Sequence, residues 1–348
     1  MTQSTGVLNV ALIGYGYASK VFHAPLLTNI RGIRLATVIS SDPAKVEKDL
    51  PDVKVVSTPE ESFADTELAV IATPNTSHFD LAKRALNAGK HVVVDKPFTV
   101  TIGETRELIA LAAKKRCLLS VFHNRRWDSD FLTVRHLINE GKLGEVVYYE
   151  AHFDRYRPQV GNRWRELAGP GSGFWFDLGS HLVDQALQLF GFPQAINADL
   201  AMQRDHAVAV DYFHVQLRYP RNRVVLHGGT LVAGGMPRFS VHGTLGSYVK
   251  YGLDPQEEAL KAGGHPGVPG WGSDPQDGTL FTPAGDSLQS RTVPTIPGDY
   301  LAYYAAVRDA IRHGAANPVS PEDGLAVMTA LELGVQSSEA RREVEFKV

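Results

Sequence analysis

Four polar residues recur at helical spacing after a glycine-rich turn. At 100° per residue Asp177, His181, Asp184 and Gln188 lie within about 60° of one another, and apolar side chains occupy the opposite side. An imidazole with an ordinary pKa of ~6.5 can take up and return a proton near neutral pH, and a neighbouring carboxylate can orient it. Two other interpretations stay open: Asp177, His181 and Asp184 as ligands in a metal-dependent hydrolase, or a solvated helix face. The favoured prediction is an acid–base histidine with no bound metal.

A lysine follows a short apolar run in the first third of the chain. Lys96 comes after the run His91–Val94 and Asp95, and Pro97 follows it. At the end of a buried strand an ammonium group can be partly removed from water, which lowers its pKa and suits it to catalysis. The alternative is an ordinary surface charge. We predict that Lys96 is catalytic and acts together with His181.

The sequence GYGYAS, residues 14–19, follows the first apolar run. Gly14 permits a tight turn, and Gly16 lets the backbone approach a pyrophosphate at the N-terminus of the next helix. Ser19 stands where a third glycine or an alanine is usual, and a lone GxG also suits a bare turn. Because the turn ends the first strand of a βαβ series, we predict that a dinucleotide binds here. The predicted contacts are Gly14, Gly16, Tyr17, Ala18 and Ser19.

The second apolar run, Ile33–Ile39, ends at Ser40, Ser41 and Asp42. A carboxylate at this point binds the ribose 2′-hydroxyl of NAD and repels a 2′-phosphate, whereas small hydroxyl donors with Lys45 nearby suit the phosphate. Asp42 could still reach the ribose, and Ser-Ser-Asp is also typical of a helix cap. We predict NADP as the cofactor, bound at Ser40 and Ser41, with NAD as the alternative.

The first 120 residues alternate short apolar runs with helix-period stretches, which is typical of a parallel sheet covered by helices. The carboxyl edge of such a sheet binds ligands, so the residues that follow its strands are expected to meet there. A capping box at 101–104 starts one helix, and another is predicted from about Asn75 to Gly89. The apolar runs are Val7–Ile13, Ile33–Ile39, Leu68–Ala72, His91–Val94 and Cys117–Phe122.

From about residue 145 the hydrophobic period changes to strict alternation, at 147–153, 212–219 and 223–227. This predicts an antiparallel sheet with an open face that would suit a dimer contact if it were apolar. Helices are predicted at Tyr300–His313 and Ser320–Arg341, and the Gly/Pro-rich residues 263–278 as a surface loop or a lid carrying Trp271. The predicted fold is α/β: an N-terminal Rossmann-type parallel sheet (1–122, dinucleotide-binding) and a C-terminal α+β domain with a largely antiparallel open sheet (123–348, substrate and oligomerisation). Its last helices can pack back on the first domain.

Composition excludes several classes of protein. The 348 residues suggest about two domains, and 43% hydrophobic with 21% charged residues is typical of a globular chain. A formal net charge of −3 without a basic block argues against a nucleic-acid partner. The single cysteine, Cys117, cannot form an internal disulfide, and no apolar run reaches membrane length. With no secretory leader pattern, we expect a soluble cytoplasmic protein.

The motifs occur in the order GYGYAS, ATPNTSH, DKP, FHNRRW, NRWRE and PGSGFWFDLGSHLVD. In this order they closely resemble the Gfo/Idh/MocA oxidoreductases, from about residue 7 to the C-terminal helices. The stretches FHNRRWDSDF and RYRP are most similar to the NADP-dependent scyllo-inositol dehydrogenase branch. One departure is Asp95-Lys96-Pro97, where the family has Glu-Lys-Pro; the shorter acid can change how the lysine is held.

The resemblance implies roles for individual residues. Lys96 matches the family's lysine, Asp177 its substrate-binding aspartate and His181 its catalytic histidine. The implied cofactor contacts beyond the glycine turn and the two serines are Thr73, Pro74, Asn75, His78, Asp95, Lys96, Pro97, Asn124, Trp164 and Arg165. The expected substrate contacts are Lys96, Arg125, Tyr156, Asp177 and His181, with Arg126 and Arg157 as further polar groups.

We therefore expect reversible oxidation of a secondary hydroxyl on a cyclic polyol or sugar, with hydride transfer to NADP. His181 would be the base, Lys96 would offset the developing alkoxide charge, and Asp177 would orient the ring. A homodimer or homotetramer formed through the open sheet is also implied. The alternatives are a non-catalytic dinucleotide sensor of the same fold and the metal-dependent hydrolase.

Overall fold

The chain folds into two compact units. The computed structural model describes residues 6–161 and 164–347. Unit 1 consists of Met1–Trp127, Gln256–Trp271 and Asp299–Leu325, and unit 2 of Asp128–Pro255, Gly272–Gly298 and Ala326–Val348. The first break between the units follows Trp127, and two later segments group with unit 1; the domain boundary after residue 122 stays a prediction. One of these segments carries the first of the two closing helices.

The elements are numbered in chain order. The strands are β1 (Leu8–Ile13), β2 (Ile33–Ile39), β3 (Lys54–Val56), β4 (Leu68–Ile71), β5 (His91–Val94), β6 (Leu119–Val121), β7 (Val146–His152), β8 (Ala195–Ala201), β9 (Tyr212–Arg218), β10 (Arg223–Gly229), β11 (Phe239–Gly243), β12 (Ser247–Lys250), β13 (Gly278–Ala284), β14 (Ser287–Val293) and β15 (Val344–Glu345). The helices are α1 (Ala24–Thr28), α2 (Pro43–Asp49), α3 (Glu60–Phe63), α4 (His78–Asn87), α5 (Ile102–Lys115), α6 (Ser129–Asn139), α7 (Ser180–Phe190), α8 (Gln256–Lys261), α9 (Leu301–His313) and α10 (Pro321–Ala340).

Unit 1 contains a six-stranded parallel sheet in the order β3-β2-β1-β4-β5-β6. Its central strands are made of Val, Leu, Ile and Ala side chains that are almost fully buried, as expected where helices cover both faces. The capping box before α5 is present: the Thr101 hydroxyl accepts from the Glu104 amide, and the Glu104 carboxylate accepts from the Thr101 amide. The helix predicted from Asn75 begins as a 3-10 turn (Asn75–Ser77) that continues into α4.

Unit 2 contains a nine-stranded sheet in the order β14-β13-β12-β11-β7-β10-β9-β8-β15. β7 and β10 run parallel, and the other neighbours are antiparallel. The parallel first sheet and the mostly antiparallel second sheet confirm the predicted fold class. On β7, β9 and β10 the side chains on the face opposite Tyr149, Val215 and Leu226, which we call the open face, are mostly polar, and they include Glu150, His152 and His214. The condition of an apolar open face is therefore not met over these three strands.

A buried tryptophan fixes the segment that leads into α7. Trp175 is fully buried, and its indole N–H donates to the Leu331 carbonyl at 2.9 Å. A Cβ atom at Gly179 would lie 2.2 Å from the indole ring and one at Gly334 2.8 Å from it, so both positions need glycine. The indole therefore sets where the start of α7 lies within unit 2.

Over the described ranges, no helix has both the length and the apolar character that crossing a membrane requires.

Candidate active site

The glycine turn after β1 is tightly packed at Gly14 and open at Gly16. Gly14 has φ +92°, and a Cβ there would lie 2.8 Å from Thr73 Cγ2 and 2.9 Å from the Ala72 carbonyl oxygen. Among the residues that the structure describes, and apart from its chain neighbours, a Cβ at Gly16 would meet no atom within 4 Å, so the space beside its backbone is open. Ser19 is fully buried, and its hydroxyl donates to the Gly14 carbonyl at 2.9 Å. Ser19 thus stabilises the turn, and its predicted contact with the cofactor stays a prediction.

The loops after β4 and β5 are joined by one imidazole. His78 is buried, and its Nδ1 and Nε2 atoms each lie 2.9 Å from a carbonyl oxygen, of Pro97 and Thr73 respectively. Thr73 also shares a hydrogen bond with Ser77, at 2.7 Å between the hydroxyl oxygens. His78 therefore joins the loops that follow β4 and β5, at the carboxyl edge of the parallel sheet.

Lys96 follows Asp95, a buried aspartate that lies close to the buried His23. Asp95 accepts from the Lys96 backbone amide at 2.8 Å, and one of its oxygens lies 4.0 Å from His23 Nε2. His23 Nδ1 lies 2.6 Å from the Tyr304 hydroxyl oxygen. Burial lowers the pKa of His23 to about 4, so the ring is neutral at pH 7. No local sequence pattern indicates that His23 and Tyr304 pack next to the Asp-Lys-Pro loop.

Arg125 belongs to an ion cluster beside the glycine turn. Its guanidinium lies 2.6 Å from a Glu257 carboxylate oxygen, and Lys261 lies 2.8 Å from the other oxygen. The Tyr17 hydroxyl donates to the same carboxylate at 3.3 Å. Burial raises the pKa of Glu257, but Arg125 and Lys261 outweigh it and lower the pKa to about 2. Arg125 thus forms an ion pair with Glu257, and its predicted contact with substrate stays a prediction.

The end of β2 forms a helix cap. Asp42 accepts from the Lys45 amide at 3.2 Å as the N-cap of α2, and the Ser40 hydroxyl accepts from the Asp42 amide at 3.1 Å. Ser41 and Lys45 are exposed. The cap interpretation of Asp42 is therefore confirmed, and Ser41 is the exposed hydroxyl at this strand end.

The predicted substrate residues of unit 2 occupy two kinds of helical turn. Asp177 lies in a π-helical turn (Trp175–Gly179), whereas His181 and Asp184 lie on α7. The even 100° spacing assumed from Asp177 is therefore wrong for that residue. His181 and Asp184 are only 4% and 2% exposed, so the solvated-face interpretation is also wrong for them. π-Helical turns occur often at functional sites, and a second one, Ser19–His23, follows the glycine turn.

Asp177 is paired with a residue predicted for the cofactor site. Arg165 Nε lies 3.1 Å from Asp177 Oδ1, with both side chains about one quarter exposed. Both line a small cavity of about 60 Å³ that also contains Arg157 and the buried Arg204. Tyr156 is 61% exposed and does not line this cavity. The side chain of Trp164 lies outside the described residues.

The described side chains that could hold a metal ion are not those of the predicted substrate site. In the described parts of the chain, Asp177, His181 and Asp184 do not form a set of donor atoms close enough to share an ion; the set that does is His152, Asp154 and His227. The three residues on which the hydrolase alternative depended are therefore not arranged as a metal site.

Two further predicted cofactor residues, Asn75 and Asn124, lie shortly after strands of the parallel sheet. Asn75 and Asn124 are buried, in the 3-10 turns that follow β4 and β6. Arg126 is buried as well and pairs with Asp323 at 3.2 Å. Glu257, His23 and Tyr304 are the residues that sequence reasoning missed, because they reach the site from distant parts of the chain.

Two domain models of one oxidoreductase family match the chain. "Oxidoreductase family, NAD-binding Rossmann fold" matches residues 8–123, and "Oxidoreductase family, C-terminal alpha/beta domain" matches residues 135–346. An uncharacterized oxidoreductase of Escherichia coli is 56% identical over 96% of this chain and 97% of its own length. The scyllo-inositol 2-dehydrogenase (NADP(+)) of Bacillus subtilis is 42% identical over 97% of this chain and 95% of its own. The solved structure of an oxidoreductase from Yersinia pestis has a TM-score of 0.96 at 50% identity, covering 100% of this chain and 99% of that one.

Proposed function

The chain belongs to the Gfo/Idh/MocA family of oxidoreductases, and on this premise we propose that it transfers a hydride between a secondary hydroxyl of an inositol-like polyol or sugar and NADP. That it is a dehydrogenase or reductase follows from the family. The substrate class is supported by the 42% identical scyllo-inositol 2-dehydrogenase and by a 27% identical inositol 2-dehydrogenase of Rhizobium meliloti. The preference for NADP is supported by the name of the first relative and by the exposed Ser41 at the end of β2.

The observation that carries the proposal is the contrast between the two glycines of the turn. Gly14 is needed by the protein itself, whereas a Cβ at Gly16 would meet no atom within 4 Å in the described part of the chain beyond its immediate neighbours. Such a space beside a backbone at a helix N-terminus fits a pyrophosphate. Gly14–Ser19, Ser40, Ser41 and the loops of Thr73–His78 and Asp95–Pro97 would hold the cofactor. When bound, the nicotinamide supplies the position that accepts or returns the hydride.

His181 moves the proton in this proposal. An alcohol carbon loses hydride only as its hydroxyl proton is removed, so a base must lie within about 2.6–3.2 Å of that oxygen. His181 is buried beside the Phe153 ring, with the ring centroids 6.3 Å apart, so its exchange of protons with bulk water is restricted. The proton passes from the substrate hydroxyl to the imidazole in oxidation and returns in reduction.

Lys96 and Asp177 control charge and orientation. The Lys96 ammonium offsets the negative charge that develops on the substrate oxygen, as an oxyanion-stabilising group does. Asp177 binds a neighbouring hydroxyl, and its pairing with Arg165 restricts the rotation of the carboxylate. A polyol offers adjacent hydroxyls to both groups, whereas a simple alcohol does not.

The test compares site variants with matched surface variants. Lys96→Met and His181→Ala should each lower kcat by ~10²-fold or more, because proton transfer and charge stabilisation each contribute that much. Cofactor affinity, measured by fluorescence titration with NADP, should stay within about twofold. Lys114→Met and His136→Ala remove exposed residues of the same types and should leave both values unchanged.

The double variant tests whether both residues act on one oxygen. If they do, Lys96→Met with His181→Ala should lose little more activity than the worse single variant, since groups that act as a unit are non-additive. Near wild-type turnover in either single variant would contradict its assigned role. Tight NADP binding without turnover across inositols and aldoses would favour the sensor alternative.

A further inference from the structure

A second cluster of imidazole and carboxylate groups lies on the open face of the unit 2 sheet. His152 ends β7, Asp154 follows two residues later, and His227 is the register partner of His152 on β10. The Asp154 carboxylate lies between the two rings, with Oδ2 3.0 Å from His152 Nδ1 and Oδ1 2.9 Å from His227 Nδ1. Three atoms of the types that bind transition metals therefore converge on one point of the sheet.

The cluster is largely removed from solvent. The side chains of His152 and Asp154 are each 6% exposed, and that of His227 is 15% exposed. A carboxylate at this depth needs a positive partner, which either a protonated imidazole or a metal ion supplies. None of these three side chains has a role in the proposed active site.

A second layer of hydrogen bonds fixes the orientation of the donors. His152 Nε2 lies 2.9 Å from Glu150 Oε1, and the Tyr148 hydroxyl donates to the other Glu150 oxygen at 2.7 Å. The Gly229 amide donates to Asp154 at 3.1 Å. Histidine ligands of metals usually donate their second ring N–H to a carboxylate in this way, which leaves the first nitrogen for the ion.

We propose that His152, Asp154 and His227 bind one divalent transition-metal ion of the zinc type through two Nδ1 atoms and a carboxylate oxygen. One donor atom from each of the three residues lies within 4.8 Å of the other two, whereas ligands ~2.1 Å from one ion are at most about 4.2 Å apart. Small side-chain rotations therefore bring them to bonding distance. Two imidazoles select against Ca²⁺ and Mg²⁺, which take oxygen ligands. The ion would join the end of β7 to β10, with a fourth position for water.

A proton competes with the ion for this site. Burial lowers the pKa of His152, but hydrogen bonds with Asp154 and Glu150 outweigh it and raise the pKa to about 9. The alternative to a metal site is thus a hydrogen-bonded ion network without metal. The experiment has to separate these two states.

The test uses tag-free, EDTA-treated full-length protein titrated with ZnCl₂ by calorimetry and with CoCl₂ by visible absorption. We expect one ion per chain and a Co²⁺ spectrum of low coordination number. His227→Gln and Asp154→Asn each remove a ligand and should weaken Zn²⁺ binding by more than the ~10–100-fold expected for Glu150→Gln, which removes only an orienting group. Melting curves without metal show which variants are folded.

The matched control is His242→Gln. His242 lies on the same face of the sheet, beside Tyr148, and is hydrogen-bonded to Ser247 at 2.8 Å. This variant should bind Zn²⁺ as the unmodified protein does. The proposal is overturned if the unmodified protein binds no Zn²⁺ with a Kd below about 100 µM. It is also overturned if folded His227→Gln and Asp154→Asn keep full affinity, or if His242→Gln loses it.

Discussion

Replacing the two glycines of the turn after β1 one at a time separates the structural role of the turn from its binding role. In Gly14→Ala the new methyl group would lie 2.8 Å from Thr73 Cγ2 and 2.9 Å from the Ala72 carbonyl oxygen, at φ +92°. A positive φ costs an alanine about 1–2 kcal/mol, and overpacking adds about 1–3 kcal/mol. We therefore expect the free energy of unfolding to fall by about 3 kcal/mol. At about 2–4 °C per kcal/mol for a domain of 150–250 residues, Tm falls by about 6–12 °C.

Gly16→Ala should leave the folding stability nearly unchanged and weaken the binding of NADP. Over residues 6–161 and 164–347 its methyl group meets no atom within 4 Å other than those of its chain neighbours, and φ is not positive, so the stability should change by no more than about 0.5 kcal/mol. If a pyrophosphate lies against this backbone, the methyl group separates it from the amide donors. Hydrogen bonds to charged groups contribute about 1.5–3 kcal/mol, which corresponds to about 10- to 150-fold weaker NADP binding.

Thermal melting without cofactor and fluorescence titration with NADP measure the two effects. Wild-type affinity in Gly16→Ala would refute the placement of the pyrophosphate. A loss of stability in Gly16→Ala as large as that in Gly14→Ala would refute the inference that the space beside Gly16 is open.

Two further predictions concern the surroundings of this turn. Glu257→Gln should lower Tm at pH 7, because the pKa of Glu257 is lowered to about 2 in the folded chain, chiefly by Arg125 and Lys261 acting against burial. The ionised Glu257 carboxylate contributes at most about 3 kcal/mol of stability; this contribution is complete above the ordinary pKa of about 4.5 and is lost as the pH falls toward 2. The Tm difference between wild type and Glu257→Gln should therefore be smaller at pH 3 than at pH 7. An equal difference at both pH values would contradict this. Ser41→Asp should weaken NADP binding about tenfold or more, through repulsion of the 2′-phosphate, and leave NAD binding unchanged as the internal control. An equal loss for both cofactors would contradict NADP recognition at this position.

The features that could be predicted from the sequence depend on local hydrogen bonds and on burial of whole strands. The capping box at Thr101 and the N-cap at Ser320, whose hydroxyl accepts from the Asp323 amide at 3.0 Å, each need only four consecutive residues. The central strands β1 and β4 are recognisable because all their residues except Asn9 are apolar. β3 was missed because only three residues, Lys54–Val56, pair with β2.

The site could be predicted only in part because several of its contacts join distant residues. Arg125 is paired with Glu257, 132 positions later in the chain, and no local pattern indicates such a contact. The π-helical turn at Trp175–Gly179 shifts Asp177 out of the spacing expected of an α-helix. The Trp175 ring in this turn is fixed by contacts with a distant segment, a hydrogen bond to the Leu331 carbonyl and close packing against Gly334.

The packing around Trp175 also restricts how this region can diverge. A larger residue at position 179 or 334 collides with the indole, and a smaller residue at 175 leaves a void beside both glycines and an uncapped carbonyl at Leu331. We therefore expect single replacements at these three positions to be destabilising. We expect lineages of this family to keep the Trp-Gly-Gly set intact or to exchange its members together, so that the three positions co-vary although 155 residues separate Gly179 from Gly334.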